Sequence, residues 1–184
     1  MRYNYCYSKI RRSIFWALDM SSVEFWESKS LAEMTNAEWE SICDGCGKCC
    51  LHSFIDSEDE HFESTDVLRD GEELLYTDVI CQYSEVTTGG CTRYSERRKL
   101  VPSCVQLTKE NLKDIFFMPQ SCSYRRLHEG RGLAAWHPLK HEGSKEAMHQ
   151  AGISIKDKVV LETKVDLEED FEEHIVIWPE YDID

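Results

Sequence analysis

The apolar positions of this chain come in short bursts, and few bursts are long enough to make a regular element alone. In SLAEMTNAEWESIC, Thr35 and Glu38 stand in the order of a capping box, and Trp39 and Ile42 follow at helical spacing. That pattern predicts a short helix delivering Cys43 at its end, where Gly45 and Gly47 break it into a loop. Thr108 is placed to cap a second helix through ENLKDIFF, stopping before Pro119. Ser121 is placed to cap a third through YRRLHE, stopped by Gly130. A fourth starts at Ser144 in SKEAMHQ and closes at Gly152. Further on, ISIKDKVVLETKV alternates like a strand or hairpin arm, and FEEHIVIW reads as a final strand. The expected fold class is α+β, a small single domain of short helices, a few strands and long cysteine-bearing loops.

Three segments divide the chain. Residues 1–22 read as a loosely attached N-terminal extension, with Met20 an alternative start. Residues 23–179 make the cysteine-bearing domain, and 180–184 an acidic tail. Between Asp56 and Asp78 the only basic residue is Arg69. The DSEDE run there is no EF-hand loop, because the sixth position from Asp56 is His61 where glycine is required. It reads as a solvated acidic loop.

Composition narrows the choices. At 184 residues the chain suits one domain. With 41% apolar and 30% charged residues its core is modest, so metal or cross-links would help hold its loops. A net charge of −14 repels phosphate backbones, which argues against a nucleic-acid partner. The local basic group Arg93, Arg97, Arg98 and Lys99 reads as a solvated face or as ion-pair partners. No stretch approaches the ~18 apolar residues of a membrane span. The early patch IFWAL is cut off by Asp19 without a cleavage site. A cytoplasmic protein is expected, in which clustered cysteines serve metal or redox chemistry rather than structural disulfides.

The octet CDGCGKCC, residues 43–50, holds four of the nine cysteines. With Cys6 set aside as part of the extension, eight remain: Cys43, Cys46, Cys49, Cys50, Cys81, Cys91, Cys104 and Cys122. Eight thiolates fill two four-thiolate zinc sites or two cubane iron–sulfur clusters. A C-x-x-C pair grips one metal because its two-residue turn brings both sulfurs to one side. Cys43, Cys46 and Cys49 repeat that spacing as a bacterial ferredoxin does, but Cys50 follows at once, which excludes an ordinary ferredoxin. In extended chain, adjacent side chains point to opposite faces. The Cys49–Cys50 doublet is therefore expected to join two metal positions, or two edges of one larger centre. The cofactor is expected to be zinc or iron, with the CxxCxxC start tilting towards iron–sulfur.

These blocks resemble a known family. FWESKSLAEMTNAEWESICDGCGKCCLH, CTRYSERR, SCVQLTKENL, MPQSCSYRRL and LAAWHPL followed by GSKEAMH are similar to the CxxCxxCC cysteine-cluster family of bacterial proteins, in its YcgN-like branch. The resemblance runs from about Phe25 to Pro179 and implies a zinc- or iron-chelating domain whose cysteine positions fall on the same eight residues. Relatives read TCQCRNY where this chain has TGGCTRY, so Gly89 stands where they carry a cysteine. The acidic stretch before Cys81 is also longer here.

His52 and His137 lie in the shared blocks and can serve as zinc ligands, although hydrogen-bonding histidines in a packed shell are the commoner case. Lys48, Arg97, Arg98, Arg125 and Arg126 are candidates to balance thiolate charge. Two alternatives stand beside metal binding. One is a thiol–disulfide redox protein using Cys43/Cys46 or Cys49/Cys50; the other is a zinc-stapled adaptor for a protein partner. No nucleophile elbow, phosphate loop, dinucleotide fingerprint or H-E-x-x-H pair is present, which argues against an enzyme.

Overall fold

The computed structural model describes residues 23–57 and 68–179; the N-terminal extension, most of the DSEDE run and the acidic tail lie outside them. Five short helices are described: α1 Phe25–Ser28, α2 Asn36–Ser41, α3 Arg97–Leu100, α4 Ser123–His128 and α5 Glu146–Gln150. Three strands, β1 Leu51–Asp56, β2 Glu73–Ile80 and β3 Val160–Leu161, form one sheet in the order β1-β2-β3. The first pair is antiparallel and the second parallel. The α+β expectation holds.

Helix α2 forms as its sequence predicts. Thr35 Oγ1 accepts from the Glu38 backbone N–H at 3.3 Å, and the Glu38 carboxylate accepts from Thr35 N at 2.7 Å. Its Trp39 and Ile42 enter a cluster with Met34, Leu112, Ile115, Met118, Cys122 and Tyr124. Helix α4 docks on α2 there: Tyr124 Oη donates to Trp39 O at 3.0 Å and the two rings lie 4.7 Å apart. Leu51, Ile80, Ile155 and Trp178 form a second cluster under the sheet. Ala134, Trp136, Met148 and Ile153 form a third, against which Cys46 packs.

The sheet is irregular where it meets the cysteines. Leu51 pairs with Ile80 and Ser53 with Tyr76, so one residue of β1 faces three of β2. Thr77, fully buried, fills that bulge: its hydroxyl donates to His52 O at 2.9 Å and accepts from Val79 N at 3.1 Å. The bulge sets Ile80 beside Leu51, and Cys81 N then donates to Cys50 O at 3.1 Å.

Several expected elements take another form. The segment after Thr108 makes a 3-10 turn at Leu112–Asp114 rather than a helix. Asn111 is occupied locally there, accepting from Thr108 N and donating to Gln106 O. The helix expected from Ser121 starts later, at Ser123 with Cys122 in the cap position, and Ser121 is buried against Lys48 Nζ at 3.2 Å. From Ile153 onward only Val160–Leu161 is strand, after a turn with Asp157 at φ 59°. FEEHIVIW gives a 3-10 turn at Phe171–His174 and a single bridge from Ile175 to Thr77. Conversely β2, the central strand, begins inside the acidic stretch between Asp56 and Asp78, where the sequence pattern predicts no strand.

Candidate metal centre

The end of α2 is pinned before the cysteines begin. His137 is fully buried; its Nε2 stands 3.0 Å from Ile42 O, and its Nδ1 accepts from Leu139 N at 3.1 Å. Because an amide can only donate, the proton sits on Nε2. Both ring nitrogens are thus spent on backbone, and burial holds the imidazole below its usual pKa. His137 is a strut for the Ile42–Cys43 corner. His52 is also engaged elsewhere, 2.6 Å from the Glu162 carboxylate, which accepts in turn from Gln82 N.

Buried Asp44 ties the octet to α4: one oxygen accepts from Cys46 N at 2.8 Å and the other from Ser123 Oγ at 2.6 Å. This link carries the neighbour of Cys122 to the neighbour of Cys43. On the other side Ile155 N donates to Cys46 O at 3.0 Å. Gly47 bends the chain at φ 84°, pressed so tightly on Ile155 that a Cβ would lie 2.7 Å from its side chain.

All eight described cysteines are free. By the influence of each charge on the others, they fall into two groups. Cys43 and Cys122 bear on Cys46, Cys43 and Cys46 bear on Cys49, and Cys43 bears on Cys122. Cys50 and Cys91 bear on both Cys81 and Cys104, and Cys50 also bears on Cys43 and Cys49, so it belongs to both sets. The groups meet at the doublet. Cys49 and Cys50 share one 3-10 turn, Lys48–Cys50, instead of an extended stretch. In such a turn adjacent side chains stand about 120° apart rather than on opposite faces, and the two thiols bear on one another.

Backbone N–H groups attend the sulfurs with a recurring step of two residues. Gly45 N–H favours the thiolate of Cys43, Lys48 N–H that of Cys46 and Tyr83 N–H that of Cys81. At Cys122 the N–H groups of Arg125 and Tyr124 act the same way, without a regular cap hydrogen bond. Such donors stabilise the charged sulfur that a metal requires.

Without a metal the first group is protonated at neutral pH. Burial, then the Asp44 charge, pushes Cys43 up to about 11 and Cys122 to about 12, and raises Cys46 well above an ordinary thiol. Cys49 is raised by its hydrogen bond to Cys50 and by burial. Cys50 is the exception, lowered to about 7 by the Cys49 thiol, the Ser84 hydroxyl and the Arg97 charge. Of the expected cations, Arg97 and Arg98 bear on Cys104. Arg125 and Arg126 hold backbone carbonyls, while buried Lys48 reaches Ser121 and Pro179 O. Lys145, which sequence reading missed, bears on Cys43 and spans Gly45 O and Thr88 O at 3.4 and 3.1 Å. Only its distance from the octet in sequence hid it.

Eight free thiols in two neighbouring groups, with polarising N–H donors, have the chemistry of a zinc or iron donor set. As the side chains stand, no three His, Cys, Asp or Glu among the described residues close around an ion, so the thiols are neighbours rather than a finished cage.

Known proteins agree with that chemistry. The model of the CxxCxxC-type domain named CxxCxxCC, described as "Putative zinc- or iron-chelating domain", matches residues 42–123. A UPF0260 protein of Shewanella denitrificans is 51% identical over 160 residues, covering 87% of this chain and 99% of the relative. The chain belongs to the UPF0260 family. Its relatives in Shewanella sediminis and Shewanella oneidensis are 51% and 49% identical, over 88% and 87% of this chain and 100% and 99% of their own. The matched region contains all eight cysteines named above. No solved structure matches the chain. Among the described residues no helix is long and apolar enough to cross a membrane.

Proposed function

We propose that this chain is a metal-chelating protein holding zinc or iron through eight cysteine thiolates in two adjacent groups. Cys43, Cys46, Cys49 and Cys122 make one group; Cys50, Cys81, Cys91 and Cys104 make the other. The observation that carries this reading is the convergence of the thiols on the octet, with Cys50 bearing on Cys43 and Cys49 on one side and on Cys81 and Cys104 on the other. Bound zinc would supply a structural cross-link, and bound iron a redox-active or sensing centre. The CxxCxxC spacing and the contact between the groups favour the iron–sulfur form.

The chain's own residues do the rest. Backbone N–H groups of Gly45, Lys48 and Tyr83 favour thiolate at their cysteines, and Arg97 and Lys145 offset the negative charge that accumulates. The reading requires reduced thiols, hence a reducing compartment such as the cytoplasm. Protein purified without oxygen decides the metal: elemental analysis and the visible spectrum separate brown iron–sulfur protein from colourless zinc protein. A folded chain that takes up neither metal overturns the proposal.

A second reading rests on Cys50. A thiol lowered to about 7 beside a protonated Cys49 has the makings of an attacking pair. Cys50 would attack a disulfide substrate and Cys49 resolve the mixed disulfide, releasing two substrate thiols. Mass spectrometry of alkylated protein from reduced and oxidised cells tests it, and the absence of a reversible Cys49–Cys50 pair rejects it.

A further inference from the structure

The two thiol groups sit in very different surroundings. The first is anchored on the core through two of its members: Cys122 lies in the α2–α4 cluster and Cys46 packs on the Trp136 cluster, with Asp44 bonding Cys46 N and Ser123, while Cys43 and Cys49 are exposed beside them. Three cysteines of the second group, Cys81, Cys91 and Cys104, lie on one long connection. No residue from Cys81 to Asn111 is buried. That connection contains an antiparallel bridge between Ser84 and Cys91, a 3-10 turn at Tyr94–Glu96 and the single turn of α3.

Its remaining ties are mostly local or exposed. Arg97 stacks on the Tyr94 ring at 3.8 Å and Arg93 pairs with Glu96 at 3.6 Å, both within the connection. Outward, Tyr94 Oη donates to Glu40 at 2.9 Å on the surface. Near its start, Gly89 rests on Gly45 and Val86 packs at the edge of the sheet cluster. Ordering a chain segment costs conformational entropy that apolar burial normally offsets. Between Cys91 and Cys104 no buried side chain is available to do so. What recurs there instead is cysteine, at both ends of the least supported stretch.

We infer that Cys50, Cys81, Cys91 and Cys104 form a separately loaded metal centre whose occupancy folds the Cys81–Cys104 loop, while the core around Cys122 stands without it. This rests on the metal-chelating reading above and gives the second group its own role. Loss of metal there releases a surface loop bearing Tyr94, Leu100, Arg97, Arg98 and Lys99. The loop thereby becomes a reporter of metal supply.

Limited trypsin digestion reads this directly, because the loop carries cleavable bonds after Arg93, Arg97, Arg98 and Lys99, whereas Lys48 and Arg126 are buried reporters of the core. Full-length protein is loaded anaerobically with zinc(II) or iron(II), and metal is then withdrawn in steps by a chelator. The fragments are mapped by mass spectrometry at each step. The expected result is that the loop bonds become about ten-fold or more faster to cut as the first equivalent leaves, with Lys48 and Arg126 still protected. The double variant C91S/C104S should show the fast loop cleavage from the outset and hold about half the metal of the wild-type chain. Should that variant fail to fold, the wild-type titration decides alone. Metal uptake with loop cleavage unchanged by its removal overturns the inference and leaves the chelating reading intact. Simultaneous exposure of loop and core bonds overturns it equally. A folded chain that binds no metal removes both.

Discussion

Gly89 is the point where the two thiol-bearing loops touch, and replacing it with alanine tests how closely they must approach. At φ 73° an added Cβ would lie 2.4 Å from Gly45 O and 3.2 Å from Cys46 C, both of them backbone atoms that no rotamer can move aside. Two other glycines separate the contributions. Gly71, at φ 88° with nothing within 4 Å, carries the left-handed strain alone. Gly90 has neither the strain nor the crowding, its nearest neighbour being Thr88 Oγ1 at 3.6 Å. The left-handed conformation costs a β-carbon about 1–2 kcal/mol, and overpacking adds about 1–3 kcal/mol. G89A is therefore expected to lose about 2–5 kcal/mol, G71A about 1–2 kcal/mol and G90A less than about 0.5 kcal/mol. At about 2–4 °C per kcal/mol for a chain this size, G89A should melt roughly 5–15 °C below the wild type. Thermal unfolding of metal-loaded protein by circular dichroism measures the series, and competition with a chromophoric chelator reads metal retention alongside it. If G89A is no less stable than G71A and holds metal as the wild type does, the close approach of the loops is refuted.

The other predictions concern the supports of the site. Thr77→Val keeps the shape but strands His52 O and Val79 N in the bulge, costing about 1–3 kcal/mol in a denaturant titration; a wild-type midpoint rejects that role for the hydroxyl. His137 has a folded pKa below that of the unfolded chain, so its contribution is complete above about pH 6.5 and is lost as pH falls through the lowered value. The melting-temperature gap between wild type and H137Q should accordingly narrow between about pH 7 and pH 5, and a constant gap contradicts the assignment. Because Cys43, Cys46, Cys49 and Cys122 are protonated at neutral pH, loading the first group should release about four protons and tighten with rising pH. Calorimetry in buffers of different ionisation enthalpy measures this, and buffer-independent heats reject it.

What could be read from sequence follows from how local each determinant is. The Thr35–Glu38 capping box and the Ser144 start of α5 act over a few residues, and both produce helices where expected. The segment from Thr108 carries similar signals, yet Asn111 closes a turn on Thr108 and Gln106, and Leu112, Ile115 and Met118 are drawn into the core from irregular chain. Strand β2 was hidden by the acids on either side of LLYTDVI. Its aromatic and β-branched content was the available signal, but a central strand is fixed by partners far away in sequence. The eight candidate cysteines were legible as a count. The approach of Cys122 to the octet was not, because it depends on the docking of Tyr124 on Trp39 and on the Asp44–Ser123 and Lys48–Ser121 hydrogen bonds.

The doublet shows what local geometry changes. On an extended strand, Cys49 and Cys50 would be held apart and would serve centres on opposite faces. In the observed 3-10 turn they stand about 120° apart and bear on one another, so the two proposed centres adjoin and their charges add. A chain with a net charge of −14 is a poor place for such a concentration. The cations that bear on the thiols are accordingly spread across both groups: Lys145 acts on Cys43, Arg97 on Cys50 and Cys104, and Arg98 on Cys104. The same contact gives Cys49 the higher pKa and Cys50 the lower. Cys50 is thus the thiol already prepared to give up its proton, while its neighbour Cys49 must be deprotonated against the bond they share.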